Sequence, residues 1–238
     1  MLFFQPFIQH AISAMLIGVF LALGLYTFGE PLLFDRVFFT ALFLLALAFR
    51  KDINLLGVTL IIIAERLTEE IGYALILDSL PLKFLTYGLC LYALTLRRND
   101  MLFFPTLATL LIMISTECYW WQTEYKFLNT HWYAFLIALN LMVRKAISIR
   151  CFWTLDNLKK GDKAETLKID YYIYQMAGAF TLINIAILAE YLLRHVLKLP
   201  ILVVYEYYPI VTQGLAFLLL FFIADQSIKV TRSKLIQA

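Results

Sequence analysis

The sequence predicts an all-α, polytopic integral membrane protein, on three observations. First, 62% of its 238 residues are hydrophobic and only 16% are charged. Soluble domains run at about 45–50% apolar and about 25% charged. A soluble fold of this length would need polar groups over its whole surface, and so few charges, gathered at a few points, cannot supply them. Second, the apolar residues fall in long runs without alternation. A spanning helix needs roughly 20 mainly apolar residues to cross a core about 30 Å thick. Eight stretches qualify or nearly so: 7–28, 31–49, 53–77, 80–96, 101–119, 128–143, 171–193 and 203–224. The absence of a two-residue period excludes barrel strands, and lipid leaves no other way to satisfy the backbone.

The third observation is where the basic residues fall. They follow every second run: Arg50 and Lys51, Arg97 and Arg98, Arg144 and Lys145, then Lys229, Arg232 and Lys234. Arg150, Lys159, Lys160, Lys163 and Lys168 extend the third group, so fourteen of the 20 Lys and Arg residues share one side. Short cytoplasmic loops are enriched in Lys and Arg, which places both termini in the cytoplasm and the chain in the inner membrane if it is bacterial. Ten of the 17 acidic residues lie in or toward the opposite half.

The eight runs read as four helical hairpins in a single transmembrane domain, residues 1–238. The runs that begin after Asp52, Asp100 and Asp170 end near Glu65, Glu117 and Glu190, which hints at a repeated hairpin unit. The first run has no basic leader or small-residue cleavage site and reads as a retained helix. Its Ala14, Gly18 and Ala22 form a small-xxx-small face suited to close helix contact. Residues 144–170 form the one long loop, on the cytoplasmic side. Cys151, Phe152, Leu155 and Leu158 recur there at helical spacing among Lys and Asp, and Gly161 would end the helix. The loop therefore reads either as an interfacial amphipathic helix at the headgroups or as a docking surface for a cytoplasmic protein, with Phe152, Trp153, Leu155, Lys159 and Lys160 as its contact residues.

Ionisable groups within a bilayer are functional candidates by default. The third run carries Glu65, Arg66, Glu69 and Glu70. Glu65 stands 13 residues beyond Asp52, or ~20 Å along a helix, past the bilayer midplane. Arg66 can pair with Glu69 or Glu70, and one guanidinium cannot neutralise three carboxylates. The others must bind a proton, reach water or find partners. A rival reading has the helix emerge early, with these charges among headgroups. Glu117 and Glu190 approach the outer boundary, and Glu190 is spaced for an intrahelical pair with Arg194. With Trp120, Trp121 and Glu124 they form either an interfacial belt or an acidic, aromatic vestibule for a cation.

No catalytic motif is present. His10, His131 and His195 stand apart, and Cys90, Cys118 and Cys151 form no paired motif, so neither metal nor cofactor is expected. Asn140, Gln175, Asn184 and Gln213 read as interhelical hydrogen-bonding partners. The expected function is a cation or proton channel or transporter subunit. The alternative is a non-catalytic sensor or scaffold subunit that docks a partner through 150–169. An enzyme acting on lipid is the remaining class, without a nucleophile to support it. The expected partners are the lipid bilayer, further copies of the chain or another membrane subunit, and a cytoplasmic protein; nucleic acid is not among them.

The topology has a direct test. Reporter fusions at Lys51, Arg98, Lys160 and the C-terminus should report cytoplasm, and fusions near Glu30, Asp78, Glu124 and Lys198 should report the outside. A single inverted pair would sink the eight-span arrangement.

Overall fold

The computed structural model describes residues 5–76, 80–122, 131–157 and 164–237. Among these residues there are eight α-helices and no strand. They are α1 (Gln5–Tyr26), α2 (Pro31–Ala48), α3 (Ile53–Ile76), α4 (Leu80–Thr95), α5 (Phe103–Gln122), α6 (His131–Asn157), α7 (Lys168–His195) and α8 (Val203–Gln237). Three helices are long and apolar enough to cross a membrane, in α5, α7 and the Val203–Val230 part of α8.

The helix ends show why the chain breaks where it does. Pro31 opens α2, where its missing N–H costs nothing and its fixed φ suits the first turn. Gly29, between α1 and α2, has φ +83°, a conformation that carries no steric penalty only for glycine. Asp52 caps α3, its carboxylate accepting the backbone N–H of Asn54 at 3.0 Å and of Leu55 at 3.3 Å.

α6 differs from expectation. It runs unbroken to Asn157, so Phe152, Trp153 and Leu155 stand on the end of a long helix and not on a short separate one. No Pro or Gly interrupts residues 144–157, and the arginines there find buried carboxylates, described below. Residues 158–163, which include Gly161, lie outside the described residues.

The chain divides into two compact units. The first comprises Met1–Ile63, Arg150–Ile173 and Ile210–Ala238. Phe38, Leu42 and Ala46 are buried along one face of α2, and Leu55, Val58 and Ile62 along one face of α3. Both sets follow the helical period. The second unit comprises Ala64–Ile149 and Tyr174–Pro209. Its core gathers Tyr87, Cys90 and Leu94 of α4, Leu110 and Met113 of α5, Ala134, Ile137, Ala138 and Leu141 of α6, and Leu188 of α7. Cys90, Ala134 and Ala138 are small and let these helices approach closely.

Two features match an apolar solvent. Large apolar side chains stand exposed along the helices, including Leu25, Leu85, Met101, Phe104 and Trp121. Also, hydroxyl groups turn back onto their own helices. Thr59, Thr68, Thr109, Ser115, Thr116, Thr154 and Thr181 each donate to the carbonyl four residues earlier, at 2.7–2.8 Å. A hydroxyl satisfied this way needs no water.

Gly72 of α3 meets Phe135 of α6 so closely that a Cβ there would stand 2.5 Å from the ring. Gly72→Ala should therefore destabilise the protein by about 1–3 kcal/mol through overpacking. At Gly18 an added Cβ would meet nothing within 4 Å, so Gly18→Ala should leave stability unchanged or slightly raised. Thermal unfolding of both variants in detergent micelles checks this.

Candidate functional site

The α3 charges lie within a helix that continues to Ile76. Arg66 Nη1 donates to Glu69 Oε2 at 2.6 Å, with both side chains about a quarter exposed or less. Glu65 is half-buried and Glu70 is exposed. Glu65 lies within electrostatic reach of Arg66 and Glu69, and Tyr208 of α8 lies within reach of the same two groups. The Tyr208 hydroxyl donates to Asn184 Oδ1 of α7 at 3.0 Å, and its ring meets that of Tyr133 of α6 edge-on, with centroids 5.7 Å apart. Four helices thus bring acidic, amide and phenolic groups together in the second unit.

The residues expected to form the outer vestibule differ widely in exposure. Trp120 is buried, 5% exposed, against Tyr191 and His195. Trp121 is 68% exposed and Glu117 is half-buried. Glu190 does not make the expected ion pair with Arg194. Its carboxylate accepts the backbone N–H of Val204 at 2.6 Å and of Tyr205 at 3.0 Å. These amides open α8, where the first N–H groups have no partner within the helix and the helix dipole favours an anion. Each Glu190 oxygen thus takes one backbone donor, and Glu190 caps the start of α8. Glu124 lies outside the described residues.

At the other end of the chain's charge pattern, Phe152, Trp153 and Leu155 are 70%, 57% and 44% exposed on α6. Lys159 and Lys160 lie outside the described residues. Asn140 donates to the Leu136 carbonyl of its own helix at 2.8 Å. Gln213 bridges helices as expected, donating to Thr27 Oγ1 at 2.9 Å and to the Gly24 carbonyl at 3.3 Å. Among the described residues no group of three or more His, Cys, Asp or Glu is placed to hold a metal ion.

The tightest polar clusters were not singled out as sites from the sequence. In the second unit Asp100 receives the Arg144 guanidinium through Nε at 3.0 Å and through Nη2 at 2.6 and 2.8 Å. Arg97 Nη2 donates to it at 2.7 Å, the Tyr174 hydroxyl at 2.8 Å and the Leu102 backbone N–H at 3.2 Å. Arg144 also lies over the Tyr174 ring, 3.8 Å from its centroid, and donates to the Tyr174 carbonyl. Gly178 makes room for this, since a Cβ there would lie 2.3 Å from Arg144 Nη1.

The first unit has a second cluster of the same kind. Arg150 grips Asp170 through Nε at 2.9 Å and Nη2 at 2.7 Å. It also donates to the Glu165 carbonyl at 2.8 Å and to Asn54 Oδ1 at 3.3 Å. These fork geometries are strong, charge-assisted and orienting; they fill both oxygens of Asp100 and engage both of Asp170, so both clusters read as structural clamps. Their sequence signal was an Asp at each helix start, in a segment of Lys and Arg that reads first as topology.

Burial alone would push the Asp100 carboxyl up, but hydrogen bonds from Arg144, Arg97, the Leu102 amide and Tyr174 outweigh it. They hold the group well below the usual carboxylate range. A depressed folded pKa contributes stability at pH values above the unfolded pKa, and that contribution fades as pH falls below about 4 toward the folded value. Asp100→Asn should lose about 3–5 kcal/mol, because the buried Arg144 guanidinium and the half-buried Arg97 lose their counter-charge. It should also flatten the acid side of the stability profile, as measured by unfolding between neutral pH and pH 3.

No family model matches this sequence, and no curated protein or solved structure matches it either.

Proposed function

We propose that this chain is an eight-span membrane protein, arranged as four helical hairpins with both termini in the cytoplasm, that carries a cation across the bilayer through the α3 carboxylates. A proton is the preferred cargo. One observation carries the reading: Glu65 is half-buried inside α3 beside an Arg66 that already binds Glu69. Elsewhere in the second unit the buried carboxylates of Asp100 and Glu190 are filled by fixed donors. Glu65 is the acidic group near Tyr208, Asn184 and Tyr133 whose charge is shared with a guanidinium bound to a neighbour.

A carboxylate in an apolar helix interior costs several kcal/mol when ionised, and the cost falls when it takes up a proton or a cation. Hydroxyl and amide groups close by can pass a proton or share the ligation of a small cation. The narrow polar cluster in one chain favours a relay over a wide pore. A wide pore would need several copies, as an oligomer.

Glu65→Gln keeps the size and hydrogen bonding of the side chain and removes its charge. In liposomes holding a pH-sensitive dye, wild-type protein should pass protons down an imposed gradient, and Glu65→Gln should lower the rate at least tenfold. Glu69→Gln should lower it less, because its main partner is Arg66. Equal flux in wild type and Glu65→Gln, or no flux from wild type, sinks this reading.

A further inference from the structure

Three side chains at one end of the first unit expose aromatic surface. Phe152 is 70% exposed, Trp153 57% and Tyr171 62%. The exposed cations Arg50, Lys51 and Lys168 stand at the same end, with Asp156 and Glu165 as exposed anions. Arg150 and Asp170 cancel one another. Asp52 is half-exposed and its charge is taken up by the start of α3, so exposed cations outnumber exposed anions among these residues.

The Arg150 clamp fixes the level of this end. It binds Asn54 at the start of α3 and Asp170 at the start of α7, where the apolar runs of both helices begin. α2 ends at Ala48, just before Arg50 and Lys51. On the spanning reading, three helices therefore place the edge of the hydrocarbon near Arg150. Trp153 stands three residues beyond it, ~4.5 Å along the axis, and Leu155 five residues beyond, ~7.5 Å. The headgroup layer on each side of the core is ~5–8 Å thick. Helical side chains lean toward the N-terminus, which tilts the Trp153 ring back toward the core. Trp and Tyr favour this depth, with the ring body in apolar surroundings and the N–H or O–H in water.

We propose that the end of α6, with Phe152, Trp153 and Tyr171, is seated in the headgroup layer of an anionic phospholipid surface held by Arg50, Lys51 and Lys168. The proposal rests on the spanning reading of the preceding section and not on any transported cargo. An aromatic patch at this depth meets lipid before it can meet a soluble protein. The surrounding cations match phosphate charge, as juxtamembrane basic groups do.

The test uses full-length protein in phosphatidylcholine vesicles, with and without phosphatidylglycerol. The emission of Trp153 is isolated as wild type minus Trp153→Phe. A spin label on the lipid headgroup should quench it more than a label at mid-chain, and aqueous acrylamide should quench it less than it quenches free tryptophan. Phosphatidylglycerol should increase the headgroup quenching, and the triple variant Arg50→Gln, Lys51→Gln, Lys168→Gln should abolish that increase. Trp153 quenched freely by acrylamide and untouched by lipid labels would overturn the inference and leave a soluble partner as the occupant. Strongest quenching by the mid-chain label, or no response to phosphatidylglycerol, would overturn it too. Release of the whole chain by alkaline carbonate would sink the spanning reading together with it. Retention of the chain with a water-exposed Trp153 would sink this inference alone.

Discussion

A buried charge must have a partner, and in this protein α6 carries two buried cations that dictate where other helices begin. Arg144 and Arg150 are each 5% exposed. Each meets an aspartate at or near a helix start: Asp100 before α5, and Asp170 in the first turn of α7. An ionised group without such a partner costs several kcal/mol in apolar surroundings, and bidentate geometry is what offsets the cost. The pairs need not add stability over an apolar substitute of the same shape. They do exclude other registers, because a helix slid by one turn would strand a guanidinium. That is a specificity argument, and Gly178 supports it. The backbone there lacks a side chain at the one place where Arg144 Nη1 passes.

The same constraint governs the backbone. Helix ends expose N–H groups that water caps in a soluble protein. Here carboxylates do that work. Asp52 caps α3 from its own chain position, and Glu190 reaches from α7 to the start of α8. Capping across helices ties the C-terminal end of α7 to the start of α8 without an ion pair. It also explains how a glutamate within a helix can be 4% exposed. Two backbone donors and the N-terminal dipole of α8 compensate its charge.

Much of the fold was legible in sequence because hydropathy and length are local properties. Each of the eight helices covers one of the apolar runs, although α6 and α8 continue well beyond theirs, to Asn157 and Gln237. The end of α6 was not legible, because the basic residues at 144–150 look like a cytoplasmic exit when their partners lie 44 and 20 residues away in sequence. Lys and Arg read as topology signals also served as clamps, and nothing in a single sequence separates the two uses. Glu190 failed for the same reason: its spacing to Arg194 fits an intrahelical pair, but the amides of α8 are the stronger competitor. Helical spacing correctly found the Arg66 and Glu69 pair, since both partners sit on one helix. Trp120 looked like a boundary aromatic from its neighbours, and only tertiary packing shows that it is core while Trp121 is not.

The contrast between α3 and the clamps is what gives the α3 carboxylates their weight. At Asp100 two guanidinium groups, a phenol and an amide surround one carboxylate, so the charge is overcompensated and fixed. At Asp170 one guanidinium and the Leu167 amide match one carboxylate. In α3 the ratio is reversed: one guanidinium stands among Glu65, Glu69 and Glu70. Glu70 is exposed and Glu69 holds Arg66, so the deficit falls on Glu65. An ionised Glu65 carries a desolvation cost that Arg66 offsets only in part. The proposed pathway rests on that deficit, because a carboxylate without fixed donors can take up a proton or a small cation where Asp100 cannot.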